Sequence, residues 1–460
     1  MRPKQQRKAR HDDLFRARLD QIINMKHELV ALADKIDWAW LDEQLAAYFS
    51  DQGRPAEPVR FMIGMFLLKH TYALSDEQVW DRWVHDPYFQ YFTGEEFFQH
   101  ALPHERSGMS HWRKRIGDHL DILLQESLRI AHDSGALKKS DLARVTVDTT
   151  VQPKNVAFPT DAGLLETAIR QLGKLAREHG VPLRQSYSRV AKRAAMMAGR
   201  YAHAKQFKRM NKQIKFLRTR LGRIIRDIRR KTEDNEALQE IFAAPLSKAM
   251  QIRRQKPRQR GWKLYSWHAP ETECIGKGKA RTPYEFGVKV SLTTTNRRCK
   301  GGQFILHAKA LPGNPGACPR AGQRPDPGDG HTLRQAIEET QALTGREIER
   351  AYVDKGYQGH DAPRPLRVFK SGQKRGVHGQ IKKELRRRSA IEAVIGHCKT
   401  DGHLGRNFLK GRLGDQINAV MSAVGYNLRL ILKWLRELLR KIIAAILATI
   451  RPVPALKAAS

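Results

Sequence analysis

The apolar positions in the first third of the chain repeat with a helical period. Pro58 stands where a first helical turn tolerates proline, and the strongly apolar segment VRFMIGMFLLKHTYAL follows it. Ser75 and Gln78 have the spacing of a capping box that opens a second helix, which we expect to end before Pro87. A further helix, HWRKRIGDHLDILLQ, is predicted to be capped by Ser110. Residues 1–135 are therefore predicted to be helical.

Aromatic residues are concentrated in the middle of this helical region. Aromatic rings can stack on nucleic-acid bases, but they more often belong to a hydrophobic core, which is the interpretation we favour. The residues concerned are Trp80, Trp83, Tyr88, Phe89, Tyr91, Phe92, Phe97 and Phe98.

The pattern then changes to that of β-strands. ARVTVDTTV (143–151) is rich in Val and Thr, and two similar segments follow at 286–295 and 303–311. A long helical region, 161–250, separates the first strand from the second. The order is completed by a helix from His331 to Thr344, a strand REIERAYVD and a helix over 382–400. This order predicts an α/β domain interrupted by a helical insert.

The charge of the chain indicates a polyanionic partner. Its 84 Lys and Arg residues exceed the 47 Asp and Glu residues, which gives a formal net charge of +37. Nucleic acid is the usual partner of so basic a protein, since neutralising phosphates releases counterions. A ribosome-like or membrane-surface protein is the alternative.

The positive charge is densest in the predicted insert. Residues 184–231 contain 17 Lys or Arg residues and one acid, Asp227. A solvated helix normally mixes its signs, so we interpret this segment as a DNA-binding face, with a solvated coiled-coil arm as the alternative. The basic start of the helix after Ser110 is a weaker candidate for phosphate contact. The residues expected to bind DNA are Lys215, Arg218, Arg223 and Arg226 in the insert, and Arg113 and Arg115 near the N-terminus.

The remaining compositional features favour a cytoplasmic protein without a membrane span. Cys274, Cys299, Cys318 and Cys398 lie far apart, so neither a zinc site nor a disulfide framework is expected. The N-terminus does not resemble a signal peptide. The apolar run IIAAILATI is too short to cross a bilayer, and it ends a basic amphipathic helix that we expect to pack on a partner helix or the core.

Two predicted strands end in an aspartate. VTVDTT contains Asp148, and AYVDKGYQG contains Asp354. An acid after an apolar run is costly unless it lies at a sheet edge or in a cleft, and ligands of open α/β sheets collect beyond strand ends. Each aspartate taken alone is more often a turn or capping residue.

A third acid lies on the helix predicted over 382–400. Arg388, Glu392 and Lys399 share one face of that helix, because they are separated by four and seven residues. A surface ion pair between Arg388 and Glu392 is the simpler interpretation. Three converging acids in so basic a chain would require a compensating charge, and Mg²⁺, which takes oxygen ligands, would supply it. Two such ions can activate an attacking oxygen and stabilise the leaving one at phosphorus, with Arg388 and Lys399 holding the phosphate backbone.

These motifs, in this order, resemble the DDE transposases of bacterial insertion sequences, in the IS-five group. The resemblance covers nearly the whole chain. It is carried by PVRFMIGMFLLKH, ALSDEQV and DPYFQYFTGEEFFQH, by VDTTVQPK and YVDKGYQGH, and by RRRSAIEAVIGHCK, GRNFLKG, GDQINAV and GYNLR.

The resemblance implies an RNase H-like fold in which adjacent strands bear Asp148 and Asp354 and a following helix bears Glu392. These three acids would be both the catalytic residues and the ligands of two Mg²⁺ ions, for which Mn²⁺ can substitute. A signature of spaced Tyr, Arg, Glu and Lys is met at Arg388, Glu392 and Lys399 but not at its first position, which is Leu385. The segment 316–328 interrupts the motif order and is expected to be a tolerated surface loop, with a decayed copy of such a transposase as the alternative.

The predicted fold is α/β, with an RNase H-like catalytic domain interrupted by a long basic helical insert and preceded by an all-α N-terminal domain. Residues 1–135 would bind DNA and support assembly, 136–435 would form the catalytic domain with its insert at 161–262, and 436–460 would form the basic helix and tail. The predicted function is binding of terminal inverted repeats with metal-dependent strand cleavage and transfer, by a dimer or higher oligomer on DNA. The alternatives are an RNase H-like nuclease that does not join strands and a non-catalytic DNA-binding protein derived from a transposase.

Overall fold

The computed structural model describes residues 17–50, 52, 56–257, 259, 263–276, 283–313 and 329–450. Within these residues the chain is a mixed α/β protein with many helices and one curled sheet. The first 16 residues, the segment 316–328 expected to be a surface loop, and the tail after residue 450 lie outside the described residues.

The N-terminal region is helical, as the apolar period predicts. The helix Val59–Thr71 is buried around nearly its whole circumference. The aromatic cluster is core, since Trp80, Trp83, Phe89 and Phe92 are all buried. The helices are α1 (Leu19–Ile22), α2 (Glu28–Ala33), α3 (Trp38–Ala46), α4 (Val59–Thr71), α5 (Asp76–His85), α6 (Pro87–Phe92), α7 (Gly108–Ile116) and α8 (Asp121–Asp133).

Two helix starts test the capping predictions. The capping box at α5 is confirmed, because Ser75 Oγ accepts from the Gln78 N–H at 3.1 Å and Gln78 Oε1 accepts from the Ser75 N–H at 2.8 Å. The predicted cap at Ser110 was wrong, since α7 begins two residues earlier and a 3₁₀ turn separates it from α8. That turn begins at Gly117, where a Cβ atom would lie 2.7 Å from Ile417 Cδ1, so the side chain of Ile417 packs closely on the turn.

One six-stranded sheet follows, and its strands have the order β2-β3-β1-β5-β6, with β4 also paired to β3. β3 is antiparallel to β1, β2 and β4, whereas β1, β5 and β6 are parallel. The strands β2 and β6 were not predicted, because a segment of four residues is too short to show the alternation of apolar and polar positions. The strands are β1 (Arg144–Pro153), β2 (Glu273–Gly276), β3 (Tyr284–Thr295), β4 (Ile305–Leu311), β5 (Arg350–Val353) and β6 (Arg367–Lys370).

The helical insert lies between β1 and β2. It contains α9 (Asp161–Glu178), α10 (Ser188–His203), α11 (Phe207–Thr232) and α12 (Glu236–Arg254). These helices enclose a hydrophobic cluster of their own, separate from the large core shared by the N-terminal helices and the sheet. The apolar stripe of α11 supplies much of this cluster and leaves its basic residues exposed.

The last helices follow the sheet strands and cover the core. They are α13 (Leu333–Thr344), α14 (Gly379–Arg387), α15 (Ala390–Asp401) and α16 (Gly411–Ile450). The single helix predicted over 382–400 was wrong, because hydrogen bonds to the third preceding residue at Arg388, Ile391 and Glu392 tighten the chain into a turn between α14 and α15.

Helix α16 crosses the expected domain boundary at residues 435 and 436. It is continuous for 40 residues and packs on α4, α8 and β4 through its first half. A Cβ atom on Gly425 would lie 2.3 Å from the carbonyl oxygen of His70, so α4 and α16 meet at their backbones. Ile442, Ile443 and Leu447 are exposed beyond this contact. None of the helices in the described ranges is both long enough and apolar enough to span a membrane.

A buried ionic network joins the end of β1 to the start of α16. The Lys154 ammonium group lies 2.8 Å from both Glu271 Oε1 and Asp415 Oδ1, and Asn407 Nδ2 donates to the same Asp415 oxygen at 2.7 Å. Burial raises the pKa of both carboxyl groups. At Glu271 the hydrogen bond from Lys154, backbone hydrogen bonds and the positive charge of Lys154 together outweigh burial, so the pKa is lowered. At Asp415 burial prevails over the contacts with Lys154 and Asn407, so the pKa is raised. Lys154 therefore compensates two buried acids.

We predict that Lys154→Met lowers the free energy of unfolding by about 3–5 kcal/mol, because the substitution leaves buried carboxylates without a cation. Denaturant unfolding measures this change. The control is Arg170→Met, which breaks an exposed pair with Glu166 at 3.5 Å. The control should cost about 0–1 kcal/mol. Equal losses in the two variants would show that the buried network is dispensable.

Candidate active site

Asp148 lies within β1, and the prediction that its strand ends there was wrong. β1 continues because the next five residues also pair with β3. The parallel pairing with β5 sets Arg144–Thr146 opposite Arg350–Tyr352. Continued by two residues, this register brings Asp148 level with Asp354, which directly follows β5. The two aspartates are therefore neighbours at the point where β5 stops.

Strand alternation places both aspartates on the same side of the sheet as α15. Side chains two residues apart on a strand share a face. Val145 and Val147 are buried in the core. Asp148, which is followed by polar residues along the strand, is only partly buried. Helix α15 packs against β1. Glu392, in the first turn of α15, is consequently brought towards the aspartates.

One guanidinium group contacts all three predicted acids. Arg388 Nη1 donates to Asp148 Oδ2 at 3.3 Å. Arg388 Nη2 lies 3.7 Å from Asp354 Oδ1 and 3.7 Å from Glu392 Oε1. Because both oxygens lie 3.7 Å from the same nitrogen, Asp354 Oδ1 and Glu392 Oε1 are separated by at most twice 3.7 Å. The structure brings together the three acids that the sequence singled out, although residues far apart in the chain supply them.

The acids differ in their access to solvent. The Asp148 side chain is 18% exposed, that of Asp354 50% and that of Glu392 69%, whereas Arg388 is 12% exposed. The acids thus lie at the protein surface, with a nearly covered cation between the carboxylates. An uncompensated cluster of this kind would be costly, so Arg388 stabilises the arrangement.

The donor chemistry of the cluster fits Mg²⁺, which prefers carboxylate oxygens and retains waters. Asp148, Asp354 and Glu392 could hold such an ion from the open side of the cleft. Among the described residues, no three acidic, His or Cys side chains have the compact arrangement of a metal shell. The three carboxylates are grouped around Arg388 instead, so binding an ion would require them to exchange a guanidinium for a metal.

Glu384 on α14 is a buried acid that the sequence analysis did not single out. The Tyr352 hydroxyl donates to it, and Arg350 Nε donates to Glu384 Oε2 at 3.1 Å. Burial raises the pKa of Glu384, but hydrogen bonds from Tyr352 and Gln380 and the positive charge of Arg350 outweigh it, so the pKa is lowered. Tyr352 lies two residues before Asp354, and this spacing on a strand was the one available signal.

The predicted DNA-binding residues outside the insert are placed differently from one another. Arg115 is exposed, with its guanidinium 5.0 Å from the ring centre of Phe49. Lys399 is half-buried on α15. Contrary to expectation, Arg113 is not on the surface: it is 8% exposed and forms an ion pair with Asp76. The acid comes from another helix, so the sequence pattern of α7 could not reveal this contact.

The insert residues divide in the same way. Lys215 is exposed on α11. Arg218 is half-buried, because its Nη2 donates to the carbonyl oxygen of Gln255 at 2.8 Å and ties α11 to the end of α12. Arg223 and Arg226 are exposed and face a groove. The structure therefore assigns Arg218 a structural contact and leaves the other three available to a ligand.

The groove is a strongly basic concave surface of the insert. It has a volume of about 1470 Å³ and lies between α11, α12 and the segment before α10. The acids that line it are Asp227 and Glu233. Asp227 is buried and accepts the Arg184 backbone N–H at 2.9 Å. The arginines that line the groove are Arg184, Arg223, Arg226, Arg229, Arg230 and Arg254.

Comparison with known proteins identifies the N-terminal helices. Residues 17–115 match the family described as Transposase domain (DUF772). A Rhizobium meliloti protein, described as the uncharacterized protein ORF8 in the nfe locus, is 50% identical over 208 residues. The aligned residues are 45% of this chain and 100% of that protein. No solved structure matches the chain.

We predict that Arg388→Gln raises the affinity of the acid cluster for Mn²⁺ at least about tenfold, which corresponds to about 1.4 kcal/mol. The arginine and the cation compete for the same carboxylates, so removing one favours the other. The measurement is the Mn²⁺ concentration dependence of the melting temperature.

The matched control is Arg387→Gln. It removes the same charge from an exposed neighbour for which no carboxylate contact is present in the described part of the chain. If both variants bind Mn²⁺ equally well, the effect comes from net charge and Arg388 does not occupy the cation position.

Proposed function

We propose, from the premise that residues 17–115 belong to a transposase domain family, that this chain binds the terminal inverted repeats of its element and catalyses metal-dependent DNA strand cleavage and strand transfer. Asp148, Asp354 and Glu392 are the proposed catalytic residues. The observation that carries the proposal is the contact of all three with Arg388, at 3.3, 3.7 and 3.7 Å. Three acids around one replaceable cation form a cleft suited to phosphoryl transfer.

The sheet supports an RNase H-like catalytic unit. Strand β1 lies in the centre, antiparallel to β3 on one side and parallel to β5 on the other. This arrangement sets one aspartate on the central strand and another at the end of its parallel neighbour. The resemblance of the sequence to DDE transposases implies the same relationship between the two residues.

The proposed reaction consists of two displacements at phosphorus. In the first, a water oxygen attacks the phosphorus, the bond to the 3′ oxygen breaks, and that oxygen leaves as a hydroxyl. In the second, this 3′-hydroxyl loses its proton and attacks the phosphorus of a target phosphodiester, the bond from that phosphorus to the target's 3′ oxygen breaks, and that oxygen leaves as a hydroxyl. Mg²⁺ bound by the three carboxylates would supply Lewis-acid stabilisation of the attacking and leaving oxygens.

The protein's own residues orient the strands. Arg388, once released from the carboxylates, can donate to a phosphate oxygen in a charge-assisted hydrogen bond. Lys399 lies further along α15 and would contact the strand beyond the scissile bond. Synapsis of two element ends implies at least a dimer on DNA.

The basic groove supports DNA binding by the insert. The groove is lined by six arginines and only two acids. A solvated helical surface normally mixes positive and negative side chains, so this imbalance favours a binding surface. The phosphate oxygens of a nucleic-acid backbone would offer further acceptors to these side chains. We propose that this surface holds DNA outside the cleavage site.

We predict that Asp148→Ala, Asp354→Ala and Glu392→Ala each abolish cleavage of a duplex carrying an element end, while binding of that duplex persists. The control, Glu347→Ala, removes an exposed acid that follows α13 and should cut at the wild-type rate. Cleavage and joining are measured separately on the same labelled duplex with Mg²⁺. Cleavage without joining by the wild type would indicate the nuclease alternative, and binding without cleavage the non-catalytic one.

We predict that combining Arg223→Ala, Arg226→Ala and Arg254→Ala reduces the dependence of log Kd on log salt by about two to three units, about one for each phosphate that is no longer neutralised. The control removes three exposed cations of α9, Arg170, Lys174 and Arg177, which lie outside the groove. DNA binding is titrated at several salt concentrations. A groove variant whose slope equals that of the α9 control would refute the proposed contact.

A further inference from the structure

We propose that Glu384 is a positioning residue, which ties the two strands leading to Asp148 and Asp354 to the helix that carries Glu392. The inference rests on the proposed function, since the geometry that Glu384 maintains is that of the three acids. It assigns to one buried carboxylate the relative placement of elements that come from three separate parts of the chain.

The burial of Glu384 requires specific partners. The residue is 3% exposed and lies near the end of α14, four residues before Arg388 and eight before Glu392. An ionised carboxylate this deeply buried is tolerated only when it is paired and hydrogen-bonded. Its contacts therefore determine where the end of α14 can lie.

The first set of contacts comes from β5. Arg350 donates from Nε to Glu384 Oε2 at 3.1 Å and from Nη2 to Oε1 at 3.5 Å. The Tyr352 hydroxyl donates to the same Oε2, and its ring stacks on Phe369 with the ring centres 5.5 Å apart. Arg350 and Tyr352 lie four and two residues before Asp354, on the same face of the strand.

The second set of contacts comes from β1. Arg144, which lies four residues before Asp148, has its Nη1 atom 3.5 Å from Glu384 Oε1. Asn296 Nδ2 donates to the backbone carbonyl of Glu384 and to Thr146 Oγ1, both at 3.0 Å. Thr146 lies two residues before Asp148. Each strand thus contacts Glu384 through the face that bears its aspartate.

The consequence is a fixed distance between the sheet and the helical turn at Arg388. The turn follows α14 directly, so a shift of Glu384 would displace Arg388 and Glu392 from the aspartates. Catalysis of phosphoryl transfer depends on such placement, and a displacement of about 1 Å can cost about 100-fold in rate. Glu384 itself does not contact the predicted reaction centre, so it acts through the residues it holds.

The test compares Glu384→Ala with Glu126→Ala. Glu126 is an equally buried acid, 4% exposed, which pairs with Arg129 on α8 and accepts the Asp37 N–H at 2.8 Å. Both substitutions remove a buried, paired carboxylate and should lower the melting temperature. Only Glu384→Ala should lower kcat for cleavage, by about 100-fold, with the affinity for the element end unchanged. Tyr352→Phe, which removes one donor and keeps the ring, should lower kcat by less.

A second measurement does not depend on catalysis. Amide hydrogen exchange across residues 385–392 should accelerate in Glu384→Ala and not in Glu126→Ala, because only the first releases the turn from the sheet. Glu384→Gln retains an acceptor for Tyr352 and should show intermediate exchange; it also replaces the alanine variant if that one does not fold.

The outcomes separate the two proposals. Faster exchange with lost cleavage supports the positioning role. Faster exchange in a protein whose wild type does not cleave DNA supports the role of Glu384 in holding the turn and contradicts the proposed function. Unchanged exchange across 385–392, or cleavage by Glu384→Ala equal to that by Glu126→Ala, overturns the inference.

Discussion

The parallel register between β1 and β5 is the constraint on which the acid cluster depends. Three paired residues on each strand fix the register of the residues that follow. Asp148 and Asp354 are therefore neighbours although no direct contact holds them together. β1 extends past the end of β5 because β3 continues to pair with its other edge. The chain leaves the sheet at the end of β1, forms the helical insert and re-enters the sheet at β2, which pairs with the other edge of β3. Four helices can therefore be inserted after β1 without altering the register that positions the aspartates.

A second constraint is electrostatic. Acids that are brought together repel one another unless a cation lies between them. Arg388 is that cation among the three predicted acids, as Lys154 is for Glu271 and Asp415. The two cases differ in solvent access. Lys154 is enclosed by its partners, whereas Glu392 and Asp354 are largely open to solvent. An enclosed ion pair is costly to separate, but an open one can exchange its cation at little cost. The same chemistry is therefore structural at one site and suited to ligand exchange at the other.

The sequence was informative wherever a period or a short spacing determined the outcome. The Val and Thr alternation around Asp148 predicted its strand, and the spacing of four predicted the contact between Arg388 and Glu392. The contact of Arg388 with Asp148 spans 240 residues, and only the sheet register and the turn after α14 bring the two together. The burial of Arg113 depends in the same way on an acid from α5. Pairing between distant segments carries little local signal, which is why the contacts of Glu384 with its partners were not predicted from the sequence.

The distribution of positive charge follows from the same distinction. Many cations of this chain are taken up by acids within the fold, as Arg350 is by Glu384 and Lys69 is by Asp76. The net charge of +37 therefore does not measure the surface offered to a polyanion. On α11 the apolar stripe packs into the insert core, so the arginines that alternate with it must project on the opposite side. Asp227 neutralises few of these arginines, because it is buried and one of its carboxylate oxygens accepts a hydrogen bond from a backbone N–H. An external anion would relieve the repulsion within the groove, and the affinity for such an anion would depend on how many arginines are clustered there rather than on the charge of the whole chain.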